Sequence, residues 1–357
     1  MKTLTAPRSS VSDCVARVAT GISDFFDEKE ALALPYGRRY PELWAAARRS
    51  SEGGKRIRPA LVIHAYKALG GTRDDDVVTV ATAFELLHTA FVLHDDVIDG
   101  DTVRRGQPNL VGAFSAHASG RGATATSAAT WGEASAIVAG DLLIYSAQAH
   151  IARLDIPGST RVALLDLLEE CMFVTAAGEL ADVAFSTAVE PPVLSEVLSM
   201  TQWKTAHYSF QDPLRAGAIL AGAGDTTLTA LGDYGRHIGI AFQLRDDLLG
   251  VFGSERLTGK SVTSDLREGK ITPLMCYALQ CDDTGELRDI LAREDVTEPD
   301  ARRARRILTS SGARDFIEGL IDDYTRRAMA AIDSPLVPES LRMQLETVAR
   351  KAGERSA

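Results

Sequence analysis

Asp95, Asp96 and Asp99 close a run, ATAFELLHTAFVLHDDVID, that is apolar almost all round a helix. Asp95 and Asp99 are four apart and share one helical face, with Asp96 adjacent. Like charges at that spacing repel, and carboxylates beside a buried helix also lose solvation. A divalent cation answers both problems, and oxygen-only ligands suit Mg²⁺. Just beyond, DTVRRGQPN supplies Asp101, Arg104 and Arg105. Arginines beside such a cluster make sense if an anion sits among them, because a metal-bound phosphate also takes bidentate guanidinium bonds. Plain ion pairing between these arginines and the nearby aspartates is the competing reading.

Three other segments share this chemistry. GGKRIRP places Lys55, Arg56 and Arg58 around Pro59, which suits the first position of a helix. Cations there oppose the helix dipole unless an anion binds among them, where backbone N–H groups also point; a basic surface turn is the plainer alternative. FQLRDDLLG puts Gln243, Asp246 and Asp247 at the end of a second apolar run, and GKSVTSDLREGKITPL adds Lys260, Asp265, Lys270 and Thr272. Buried helix, paired aspartates and cations beyond thus occur twice, which suggests a polyphosphate held by several metal ions. Lys204 and Thr205 in TQWKTAHY carry little weight alone. His88 lies two turns before Asp95. Asp322–Asp323, with Arg326 and Arg327 close behind, reads as ordinary helix pairing, and the Arg302–Arg306 run as a solvated face.

The elements that position these groups are helices. The 357 residues are 45% hydrophobic and 25% charged, which excludes a mainly disordered or fibrous chain. Helical periodicity dominates, with helices expected at 74–98, 134–153, 193–207 and 227–252 among others. No repeat or linker divides the chain, so a single all-α domain spanning 1–357 is expected. Residues 115–136, rich in Ala, Gly, Ser and Thr, are expected to be a mobile insertion. A formal net charge of −10 argues against a nucleic-acid partner. No uninterrupted apolar stretch reaches membrane-spanning length. The start lacks an apolar leader, and the four scattered cysteines read as reduced thiols, so a cytoplasmic location is expected.

Taken together, GGKRIRP (53–59), HTAFVLHDDVIDGDTVRRGQP (88–108), KTA (204–206) and FQLRDD with the GK and GKITP segments (242–273) resemble the trans-polyprenyl diphosphate synthase family. The resemblance implies an isoprenoid synthase fold, a single large helical bundle around a central apolar cavity, commonly homodimeric. It implies head-to-tail condensation of isopentenyl diphosphate with an allylic diphosphate. Asp95, Asp96, Asp99, Asp246 and Asp247 would hold Mg²⁺, three ions per site. Arg104, Lys204, Thr205, Gln243 and Lys260 would contact the allylic diphosphate, with Lys270 among the cations nearby. Lys55, Arg58, His88 and Arg105 would bind isopentenyl diphosphate.

The sequence departs from the family pattern at Gly250, where the second motif usually has a third aspartate, and at the 115–136 insertion. Ala90 and Phe91, just before the first aspartates, would form the floor of the chain pocket. About 100° separates neighbouring residues on a helix, so the two cannot face it equally. A small Ala90 facing the pocket favours geranylgeranyl diphosphate, with farnesyl or longer products as rivals. A terpene cyclase and a noncatalytic partner subunit remain alternatives on the same fold. A metal-dependent phosphohydrolase using His94–Asp95 and His64 would leave GGKRIRP and the second cluster unexplained.

Overall fold

The computed structural model describes residues 9–187, 192–253, 266, 270–281, 285–293 and 296–353. The chain is all-α, and among the described residues the β-structure is one two-residue hairpin. In order come α1 (Val11–Ala33), α2 (Arg39–Ser51), α3 (Ile57–Ala68), α4 (Asp74–Ile98), β1 (Val103–Arg104), β2 (Gln107–Pro108), α5 (Leu110–Ser119), α6 (Ala125–Ala152) and α7 (Gly158–Ser186). Next are α8 (Leu194–Thr201), a π-helical segment (Gln202–Gln211), α9 (Asp212–Leu220) and α10 (Asp225–Phe252). The remainder is α11 (Pro273–Cys281), α12 (Glu286–Leu291), α13 (Glu298–Ser310), α14 (Ala313–Ala331) and α15 (Glu339–Gly353).

Two compact units form: Met1–Leu168 with Pro213–Gly224, and Glu169–Asp212 with Asp225–Ala357. In the first, α4 packs against α1, α3 and α6. Its core includes Phe26, Leu61, Ile63, Phe84, Leu86, Leu87, Leu93 and Leu143, each contributing about 1.5–3 kcal/mol on full burial. Membrane-spanning length and hydropathy are present in α4, and most of that stretch is buried in this core. Its acidic start is tied down: Asp74 pairs with Lys67, Asp75 with Arg17, and Asp76 with Arg73 at 2.7 Å.

Residues 115–136 correct the expectation of a loop. They complete α5, turn, and form the first half of α6. Thr124 caps α6 by accepting the Ser127 N–H. Small residues serve close helix packing here. A Cβ on Gly132 would collide with the Val111 carbonyl of α5, and one on Gly140 with the His94 ring of α4.

In the second unit α10 is the central helix, packed on the π-helical segment, α14 and α15. Tyr234 of α10 is fully buried and donates its hydroxyl to the Leu345 carbonyl at 2.6 Å; burial pushes its phenol up. Asp323 pairs with both Arg326 and Arg327 at 2.7 Å, the helix pairing expected. From the basic run, Arg302 and Arg305 reach Glu298. None of the four cysteines is in a disulfide.

Candidate active site

In the first unit, the GGKRIRP turn is built on left-handed backbone. Gly53, Gly54 and Arg56 have φ of 76°, 81° and 48°. Glycine adopts this without strain, whereas arginine does not. Arg56 is held there by Glu85 Oε1 at 2.6 Å and the Ser51 carbonyl at 2.8 Å. Glu85 lies inside the apolar α4 run, and its lone carboxylate there was the available signal for this tie. With Arg56 pinned, Arg58 is half-buried and Lys55 exposed at the edge of one cavity.

Arg105 and Gly106, with φ of 53° and 73°, form the two-residue turn between β1 and β2, the left-handed pair a tight hairpin prefers. Arg104 turns in and meets Asp96 Oδ1 from Nε at 2.7 Å and Nη2 at 2.6 Å, with Asp95 Oδ2 at 3.5 Å. Arg105 donates to the Glu52 carbonyl at 2.6 Å beside Gly53, where a Cβ would press on its guanidinium. The cavity holds about 560 Å³ and is lined by Lys55, Arg56, Arg58, His88, Arg104 and Arg105 together with Asp96. Burial and the guanidinium groups of Arg58, Arg104, Arg105 and Arg56 hold His88 well below the ordinary histidine value. His88 is therefore a neutral imidazole near pH 7.

The two adjacent aspartates of α4 differ sharply. Asp96 is 1% exposed, and burial pushes its carboxyl up to about 6, with Arg104 pulling the other way. Its Oδ2 is buried and has no hydrogen-bond partner. Asp95 and Asp99 are half-buried. The donor set is oxygen-only and includes an unsatisfied buried lone pair, which fits a hard divalent cation. Among the described residues, no three His, Cys, Asp or Glu side chains form a complete metal cage. His94 points elsewhere, towards the Ile137 carbonyl at 3.3 Å and Asp141 at 3.5 Å on α6, which removes the His–Asp phosphohydrolase arrangement.

The second unit repeats the division. Asp247 is buried and accepts from Gln243 Nε2 at 2.8 Å, whereas Asp246 is half-buried. Lys204 Nζ lies between Glu179 at 3.0 Å and Asp182 at 2.6 Å, both on α7. Thr205 follows, half-buried. Glu179 and Asp182 were missed in the sequence because nothing in their spacing ties them to Lys204. Lys270 is described and half-buried; Lys260 and Asp265 lie outside the described residues.

Helix geometry separates Ala90 from Phe91. Ala90 is fully buried, one turn before His94 on the stripe that meets α6. Phe91 is half-buried, one turn before Asp95 on the stripe that carries the carboxylates. Neither side chain lines the cavity of the cations.

The sequence model of the polyprenyl synthetase family matches residues 42–308. The chain is 33% identical to the geranylgeranyl diphosphate synthase of Methanosarcina mazei, over 83% of this chain and 84% of that one. It is 34% identical to the geranylfarnesyl diphosphate synthase of Aeropyrum pernix, over 77% and 82%. The crystal structure of geranylgeranyl pyrophosphate synthase from Corynebacterium glutamicum, complexed with isoprenyl diphosphate and magnesium, superposes with a TM-score of 0.89 at 29% identity, covering 98% of this chain and all of that one. With helices, cation-lined cavity and paired aspartates in agreement with that match, the chain belongs to the polyprenyl synthetase family and is a prenyltransferase.

Proposed function

We propose that this protein joins isopentenyl diphosphate head to tail to an allylic diphosphate, making geranylgeranyl diphosphate with the help of Mg²⁺. The observation that carries this reading is the 560 Å³ cavity, which sets several cations and a neutral histidine beside the Asp95–Asp96–Arg104 group. A terpene cyclase has no use for such a second anion site. Relatives named as geranylgeranyl and geranylfarnesyl diphosphate synthases support the product class.

Asp95, Asp96, Asp99, Asp246 and Asp247 would hold the divalent ions, with Asp96 and Asp247 steadied by Arg104 and Gln243. When bound, the ions neutralise the departing pyrophosphate and so favour ionisation of the allylic C–O bond. Lys55, Arg58, Arg105 and neutral His88 hold the isopentenyl diphosphate, which brings its double bond to the allylic cation. The released pyrophosphate takes the proton lost after the new C–C bond forms. Apolar walls keep water from the cation. Trp131, Val138 and Tyr145 form an exposed apolar stripe at seven-residue spacing along α6, which supports a homodimer.

Pyrophosphate release from isopentenyl diphosphate plus a primer tests the reading. It should require Mg²⁺, stop with chelator, and fall about a hundredfold or more in Asp95→Ala. Unchanged release in either case overturns it.

A further inference from the structure

The ten-residue π-helical segment Gln202–Gln211 is unusual, because π turns mostly occur singly and often at functional sites. It carries Lys204 and Thr205 in its first half and His207 in its second. Its last backbone bond runs from the Asp212 N–H to the His207 carbonyl, five residues back. The side chains of the same two residues also meet, His207 Nδ1 to Asp212 Oδ2 at 2.7 Å, with Asp212 fully buried and His207 5% exposed. In an α-helix residues five apart point about 140° away from each other. The widened turn brings them together, so this side-chain pair exists only in the π register.

The surrounding groups favour the same register. With Nδ1–H donating to Asp212, the Nε2 lone pair of His207 accepts from Gln211 Nε2 at 3.1 Å. Pro213 comes next and has no N–H for the carbonyl four residues back, where its ring would clash in a regular α-turn. The wider segment is received by glycines. A Cβ on Gly178 of α7 would collide with the Lys204 backbone, one on Gly239 of α10 with Ala206, and one on Gly235 of α10 with Gln211.

We propose that His207 and Asp212 form a positioning lock that holds this segment in the π register and so aims Lys204 and Thr205 at the allylic diphosphate. The lock rests on the reading of those two residues as diphosphate contacts. Slipping to the α register rotates residues before the slip by about 100° relative to those after it. Lys204 would then leave its place beside Glu179 and Asp182.

The test uses the full chain carrying His207→Leu with Asp212→Leu, which avoids stranding a buried carboxylate. A second variant, His207→Asn, keeps a donor near the Nδ1 position. Steady-state kinetics should show KM for the allylic diphosphate raised about tenfold to a hundredfold in the double variant, with KM for isopentenyl diphosphate within about twofold of wild type. His207→Asn should restore most of the difference. Equal changes in both KM values, or no change in either, overturn the lock. A crystal structure of the double variant decides independently of activity: a regular α-helix through 202–211 supports the lock, and a retained π segment overturns it. Absence of condensation by wild type would instead overturn the functional reading, leaving the register to be decided by that structure.

Discussion

Paired aspartates at the ends of α4 and α10 look equivalent as letters, yet their environments separate them. Asp96 and Asp247 are buried against Arg104 and Gln243, whereas Asp95 and Asp246 retain access. Asp246→Ala should therefore abolish turnover, with a loss of about a hundredfold or more. Gly250→Asp, which restores the family's third carboxylate, should change the Mg²⁺ dependence only modestly. Titrating kcat against Mg²⁺ in both variants checks this; an active Asp246→Ala would remove Asp246 from the metal set. His88 supplies a second test. Its folded value lies well below 6.5, its ordinary value, so the unfolded chain takes up the proton first as pH falls. The resulting stability is present above about pH 6.5 and is lost as pH drops through that value towards the folded one. His88→Gln should make the fall in unfolding free energy between about pH 7 and about pH 5 shallower, by at most about 1.36 kcal/mol per pH unit. Denaturant titrations of the metal-free protein at the two pH values measure it, and identical slopes would refute it.

At the level of elements, α4 does two jobs on two stripes. His94 and Ala90 face α6, where Gly140 leaves room for the imidazole ring. Phe91 and Asp95 lie on the other stripe. Ala90→Phe should overpack the α4–α6 contact and lower stability by about 1–3 kcal/mol. Phe91→Ala should lengthen the product, since it is the bulky side chain one turn below the carboxylates. Chromatography of chain lengths, alongside thermal melts, distinguishes these outcomes; a shortened product from a fully stable Ala90→Phe would instead make Ala90 the pocket floor. Most helices were legible because apolar residues recur with helical period, so 74–98 is identical to α4. The start of α6 was not, because a helix that packs through Gly and Ala has the composition of a loop. The π segment was read as the end of one helix at 207 and a break before the next, since an i to i+5 register leaves no hydropathy signature. Two-residue strands are too short to show alternation.

For the whole molecule, the chain-wide charge of −10 coexists with a cavity lined by five arginines, one lysine and a histidine. The global sign thus says little about the substrate. Much of the candidate site was legible as residue types, because carboxylates ending buried helices and arginines beside them are chemically odd without a metal and an anion. Which carboxylate turns inward depends on a partner such as Gln243 or Arg104, and only the fold shows that. The apolar stripe of Trp131, Val138 and Tyr145 implies a partner surface, and a second copy is the proposed occupant. Light scattering should give twice the chain mass of 38.3 kDa, and Val138→Lys should shift it towards one chain; a monomeric wild type would contradict the assembly.

The central claim is tested most directly by incubating the purified protein and Mg²⁺ with isopentenyl diphosphate and each allylic primer in turn, then identifying products by mass spectrometry. The account predicts a linear polyprenyl diphosphate, chiefly geranylgeranyl diphosphate, formed only when both substrates are present. No condensation with any primer, or a cyclic hydrocarbon made from an allylic diphosphate alone, would contradict it.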